Sequence, residues 1–151
     1  MLNPDYKDML SALSEEKVEF LIVGAYALAA YGLPRATGDI DILVGSDPEN
    51  SKKVYQALKR FGAPLSHVTP ETFAETDVIY QMGVAPNRID LLSSITGVSF
   101  RDAWSHRQVK QVEGLNLFVL SLEDLILNKS ATRRPKDKVD LEWLRSQKKK
   151  K

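Results

Sequence analysis

The stretch Phe20-Leu21-Ile22-Val23-Gly24-Ala25-Tyr26-Ala27-Leu28-Ala29-Ala30-Tyr31-Gly32-Leu33-Pro34-Arg35-Ala36-Thr37-Gly38-Asp39-Ile40-Asp41-Ile42-Leu43-Val44 holds two apolar runs around a helix-forming segment. Phe20 to Val23 is a short continuous apolar run halted by Gly24, the pattern of a buried strand. Ala25 to Tyr31 is alanine-rich around Leu28, and Gly32 supplies a helix stop. Ile40, Ile42, Leu43 and Val44 predict a second strand, and two acids, Asp39 and Asp41, sit at its start.

The flanking sequence extends this alternation. Asn3-Pro4-Asp5 offers an N-cap, a proline at the first helical position and an early acid, and Met9, Leu10 and Leu13 follow at helical spacing. Asp47-Pro48-Glu49 repeats that signature before Val54, Leu58 and Phe61, with Gly62 as the stop. Thr69-Pro70-Glu71 predicts a short helical turn. Val78 to Val84 and Arg88 to Leu92 read as strands on either side of a Pro86-Asn87 turn. Ser99 to Asp102 and Ser121 to Asp124 fit capping boxes, and Leu115 to Leu120 between them reads as a last strand. Pro135 opens a closing helix with Val139, Leu141, Trp143 and Leu144. The expected fold is α/β (or α+β): a small mixed, twisted sheet of about five strands with helices packed on it.

Length and composition bound the possibilities. The 151 residues make one domain, expected over residues 1–145, with its helical part from about 121 and a basic, disordered tail at 146–151. The absence of cysteine excludes disulfides, thiolate catalysis and Cys-ligated zinc. No apolar run reaches the roughly 18 residues of a membrane span, and the N-terminus lacks the basic-then-apolar order of a signal peptide, so the expected location is cytoplasmic with no membrane partner. The net charge of +1 hides an asymmetry: residues 129–151 carry ten basic against three acidic side chains. The terminal lysine run reads as a solvated tail.

The chemistry is concentrated in three acids. Side chains alternate across a strand, so Asp39 and Asp41 project from one face, about 6.5 Å apart along the chain. Two like charges on an apolar strand are costly: the pair either faces water at the sheet end or shares a divalent cation that removes that cost. Mg²⁺ is the natural hard partner for carboxylates with phosphate. Asp90 interrupts a second apolar strand, Arg88-Ile89-Asp90-Leu91-Leu92. Its partner is either a shared cation or Arg88 on the same face. If the two strands are neighbours, three carboxylates converge, enough to hold two ions about 3.5–4 Å apart. Gly24 ends a strand and opens a helix, where backbone N–H groups lack partners and phosphate can bind.

Gly24-Ala25 followed by Asp39-Ile40-Asp41, with a later strand carrying Asp90, resembles the polymerase-β-type nucleotidyltransferase superfamily. The fuller pattern, with Gly32, Pro34, Arg35 and Thr37 before the acids, resembles its small AbiEii-like and minimal members, many of them in toxin–antitoxin systems. Leu122 to Lys129 and Pro135 to Leu141 resemble the helical end of those proteins. The resemblance implies a nucleotidyltransferase-like fold and a metal-dependent enzyme that transfers NMP from an NTP to an acceptor hydroxyl, releasing pyrophosphate. It implies Asp39, Asp41 and Asp90 as catalytic and metal-ligating residues for Mg²⁺ (or Mn²⁺), two ions in all. It implies nucleotide binding at Gly24 and Ala25, and it implies an RNA, protein or small-molecule acceptor and a toxin or antitoxin partner. Arg35, Thr37, Lys129 and Lys136 complete the expected nucleotide-binding set. Lys129 lies on the apolar face of its helix, from which its amine can reach inward or its stem can snorkel.

One departure matters. The family usually carries Ser or Gly after the first glycine, and this chain has Ala25, so a hydroxyl that could hold a phosphate oxygen is missing. The same fold could therefore serve as a nucleotide-binding or antitoxin-like regulatory module with little catalysis. A third reading, RNA binding by the basic C-terminal segment, rests on charge alone. His67 and His106 are expected at the surface, and Trp104 and Trp143 in the core. The loops Gly62–Asp77 and Ser93–Arg107, where acceptor choice would reside, carry no recognisable code.

Overall fold

The two apolar runs form adjacent antiparallel strands, β1 (Phe20–Val23) and β2 (Asp39–Val44), in which Val23 pairs with Asp41 and Phe20 with Val44. The structure, a computed structural model, describes residues 2–33 and 38–149; Pro34, Arg35 and Thr37 therefore lie outside the described residues. β3 (Ile79–Met82), β4 (Arg88–Leu92), β5 (Gln108–Val112) and β6 (Leu115–Val119) complete a six-stranded mixed sheet of order β3-β4-β2-β1-β6-β5. β2 runs parallel to β4, and β1 runs parallel to β6.

Helix boundaries follow the predicted caps. Asn3 accepts from the Asp5 amide to start α1 (Pro4–Glu15), and Asp47 accepts from the Asn50 amide to start α3 (Pro48–Phe61). Ser99 and Ser121 do the same for α4 (Phe100–Ser105) and α5 (Leu122–Thr132), each such cap contributing about 1 kcal/mol. Between β1 and β2 lies α2 (Gly24–Ala30), and α6 (Pro135–Lys149) closes the fold. Met9, Leu10 and Leu13 of α1 and Val54 and Leu58 of α3 are buried with Phe20, Ile40 and Ile42 of the sheet. A 3₁₀ turn at Thr72–Ala74 follows Thr69-Pro70-Glu71, and its Phe73 is fully buried.

Two expectations are corrected. The sheet has six strands rather than about five. β5 was not anticipated because Gln108, Lys110 and Gln111 give it the polarity of a loop. It is an edge strand, paired only with β6 through a two-residue turn at Glu113-Gly114, where both residues have positive φ (50° and 83°). That geometry suits the right-handed twist of a hairpin, but Glu-Gly is a weaker signal for it than Asn-Gly. The tail is corrected as well: residues 146–149 continue α6 as helix. Buried Leu144 anchors that helix, lysine is a good helix former, and Lys148 lies 3.6 Å from Glu123 of α5. Positive side chains at a helix C-terminus also complement its dipole.

Candidate active site

The parallel pairing of β2 with β4 sets Asp39 opposite Arg88 and Asp41 opposite Asp90. All four residues share one parity, so their side chains leave the same face of the sheet, while Ile40 and Ile42 are fully buried on the other. The three acids expected to converge do so: Asp39, Asp41 and Asp90 each offer a carboxylate oxygen, and these oxygens lie within 4.8 Å of one another. Of the two partners foreseen for Asp90, Arg88 is the one seen in the structure. Its Nη2 donates to Asp39 Oδ2 at 2.8 Å and to Asp90 Oδ2 at 3.2 Å, and its Nε donates to Asp90 Oδ1 at 3.1 Å.

Gly24 brings backbone against this cluster. It follows Val23, the register partner of Asp41, and has φ +69°. A Cβ at Gly24 would sit 2.5 Å from Asp41 Oδ2, so only glycine lets the start of α2 approach the carboxylate. Ala25 follows as the next residue of α2, and the first N–H groups of a helix have no acceptor within it.

The electrostatics are those of an under-neutralised acid cluster. Burial, then repulsion from Asp39 and Asp90, then a hydrogen bond with Asp90 push the Asp41 carboxyl up to about 7, and Arg88 opposes the shift. The phenol of Tyr6, which donates to the Pro86 carbonyl at 3.1 Å, is pushed up to about 12 by burial, by Tyr26 and by the three acids. A hard divalent cation fits this donor set, which is all carboxylate oxygen and carries three acids against one guanidinium.

An open cleft of about 670 Å³ joins the cluster to the α5–α6 end of the fold. Gly24 and Asp41 line one side, and Lys129, Thr132 and Arg134 line another. Lys129 takes the inward one of the two courses open to it on the apolar face of α5, and its Nζ lies 3.4 Å from Asp137 and 3.5 Å from Asp140, both buried. Burial lowers its pKa, and Asp137 acts against that shift. Asp137 is a hub. It accepts from the Arg134 amide at 2.9 Å, from Arg134 Nε at 3.0 Å, and from the Thr132 hydroxyl. These bonds outweigh its burial and hold its carboxyl well below the ordinary carboxylate range.

The other predicted residues fare differently. Lys136 is exposed on α6 and is not part of the cleft wall. Arg35 and Thr37 fall outside the described residues. His67 is exposed, and Trp104 and Trp143 are partly buried against the core, all as expected. His106 is also exposed, but its Nδ1 lies 3.1 Å from the buried Asp124. Sequence reasoning missed Arg134, Asp77 and Asn128 as cleft residues. Arg134 could have been found: Asp137 returns to the amide preceding Pro135, the reciprocal half of a capping box. Asp77 and Asn128 had no such signal.

Among the described residues, no helix is long and apolar enough to cross a membrane. No curated protein matches the chain. Its fold is similar to the crystal structure of a putative nucleotidyltransferase from Thermotoga maritima, with TM-score 0.59 and 18% identity over 100% of this chain and 97% of that one. A likeness at that identity speaks for the fold. The family described as nucleotidyltransferase of unknown function (DUF6036) matches residues 5–148, nearly the whole length, and the chain belongs to that nucleotidyltransferase family.

Proposed function

We propose that the protein is a metal-dependent nucleotidyltransferase that moves NMP from an NTP to an acceptor hydroxyl. The observation that carries this reading is the convergence of Asp39, Asp41 and Asp90 beside the close approach of Gly24. Asp39 and Asp41 would hold Mg²⁺ or Mn²⁺ against the triphosphate, with Asp90 completing a second position. A bound divalent ion supplies charge neutralisation for the phosphates and acidifies the attacking hydroxyl. The residues do the rest by positioning, because phosphoryl transfer asks little covalent chemistry of a protein.

The Gly24 and Ala25 amides face phosphate oxygens in this reading, and Lys129 and Arg134, each ion-paired with Asp137, line the far side of the cleft. The acceptor oxygen forms a bond to the α-phosphorus as the bond to the bridging oxygen breaks. Pyrophosphate leaves with that electron pair, and the hydroxyl proton passes to a carboxylate oxygen of Asp90. In the structure Arg88 donates to both Asp90 oxygens and so orients that carboxylate before any ion binds.

The test is transfer of label from α-³²P NTPs into a panel of RNA, protein and small-molecule acceptors. Transfer that needs Mg²⁺ or Mn²⁺ and is lost in Asp39→Asn/Asp41→Asn supports the proposal; equal transfer by that double variant refutes it. A second reading, nucleotide binding with little turnover, is favoured by Ala25, which brings no hydroxyl to the phosphates. Calorimetry with NTP and Mg²⁺ showing tight binding without transfer would select it.

A further inference from the structure

Arg88 occupies the place in the acid cluster where positive charge is wanted. Its register partner on β2 is Asp39, and Asp90 lies two residues along its own strand, so the pleat aims all three side chains at one point. The guanidinium spans both acids, with three donor contacts of 2.8–3.2 Å from two of its nitrogens. It is permanently charged, and its planar fork matches carboxylates. The two carboxylates it binds belong to the three that converge and offer hard oxygen donors to a divalent cation.

We propose that Arg88 is a built-in counter-ion that competes with the divalent metal: it holds Asp39 and Asp90 together in the metal-free protein and must release at least one of them for the ion to bind. This rests on the metal-dependent reading above and adds a control step to it. Two positive charges cannot share one small set of carboxylate oxygens without repulsion, so each cation weakens the other. A released guanidinium then has a natural new partner in the triphosphate, since Arg suits phosphate as well as carboxylate. Metal binding is therefore weak without nucleotide and strengthened by it, with Arg88 as the coupling element.

The experiment is a Mn²⁺ titration followed by electron paramagnetic resonance, which reads free ion without any turnover. Wild type, Arg88→Gln, Arg88→Lys and Asp41→Asn are compared with and without a non-hydrolysable NTP. Without nucleotide, Arg88→Gln is expected to bind Mn²⁺ about tenfold more tightly than wild type, a coupling of ordinary size. Arg88→Lys, which keeps the charge and loses the fork, falls between them and guards against a folding defect in the glutamine variant. The nucleotide should improve Mn²⁺ affinity more in wild type than in Arg88→Gln. Wild-type binding with no gain in either Arg88 variant overturns the counter-ion role alone. No Mn²⁺ binding by wild type, or binding undiminished in Asp41→Asn, overturns the metal reading as well.

Discussion

Asp41 and Asp90 face each other across the β2–β4 ladder, register partners on parallel strands whose carboxyl groups share a hydrogen bond. Forty-nine residues apart in the chain, they meet because parallel pairing superimposes two similar sequences, Asp39-Ile40-Asp41 and Arg88-Ile89-Asp90. Removing one carboxylate therefore changes the charge balance and, in the proposed reading, the ligand set. Asp41→Asn is expected to lower nucleotidyl transfer by about 10³-fold or more, the scale of losing several kcal/mol of metal-borne charge stabilisation. Circular dichroism should show the fold intact, because the amide relieves repulsion rather than breaking packing.

The raised Asp41 carboxyl makes metal-free stability pH-dependent. A group that titrates near 7 when folded and near 4 when unfolded binds more protons in the native state, so its ionisation favours unfolding. The Asp41 contribution should be fully present below about pH 4 and be lost as pH rises through 7, by about 1–3 kcal/mol after discounting for relaxation of the cluster. Denaturant melts at pH 5 and pH 8 with a chelator present would measure it. In Asp41→Asn this contribution to the slope should vanish, and Mn²⁺ should diminish it in wild type.

Asp137 predicts the opposite acid response. Its carboxyl is held low by Arg134 and Thr132, so its contribution is present above about pH 4 and is lost as pH falls below that value. Asp137→Ala would leave Lys129 buried with one fewer carboxylate and remove the link to the start of α6. A loss of about 3–5 kcal/mol is expected for breaking a buried pair in this way. Thermal melting is the measurement, with Lys129→Met/Asp137→Leu expected to recover part of the loss.

Gly24 gives a steric prediction. Gly24→Ala places a methyl 2.5 Å from Asp41 Oδ2 and forces a side chain into positive φ. The backbone strain alone is worth about 1–2 kcal/mol. Asp41 must also move, so transfer and Mn²⁺ affinity should both fall, whereas Gly62→Ala, with open space around its Cβ, should lose stability without losing either.

Local sequence determined the helix starts, the central strands and the identity of the acids. Asn3, Asp47, Ser99 and Ser121 cap within three residues of themselves, and the period-2 placement of Asp39 and Asp41 settles that they share a face. Neither property needs a distant partner. Tertiary structure decided everything that depends on pairing between strands and helices. Which partner Asp90 takes follows from the β2–β4 register, which sets Arg88 beside Asp39 as well. That Lys129 meets Asp137 and Asp140 follows from the reversal at Arg133, in left-handed conformation, and Pro135, which folds α6 back on α5. Edge strand β5 is held as strand by its pairing with β6, because its own polar side chains bury too little to specify one. Local rules act over one turn or one pleat, whereas charge partners and edge strands are chosen by contacts whose geometry exists only once the sheet has formed.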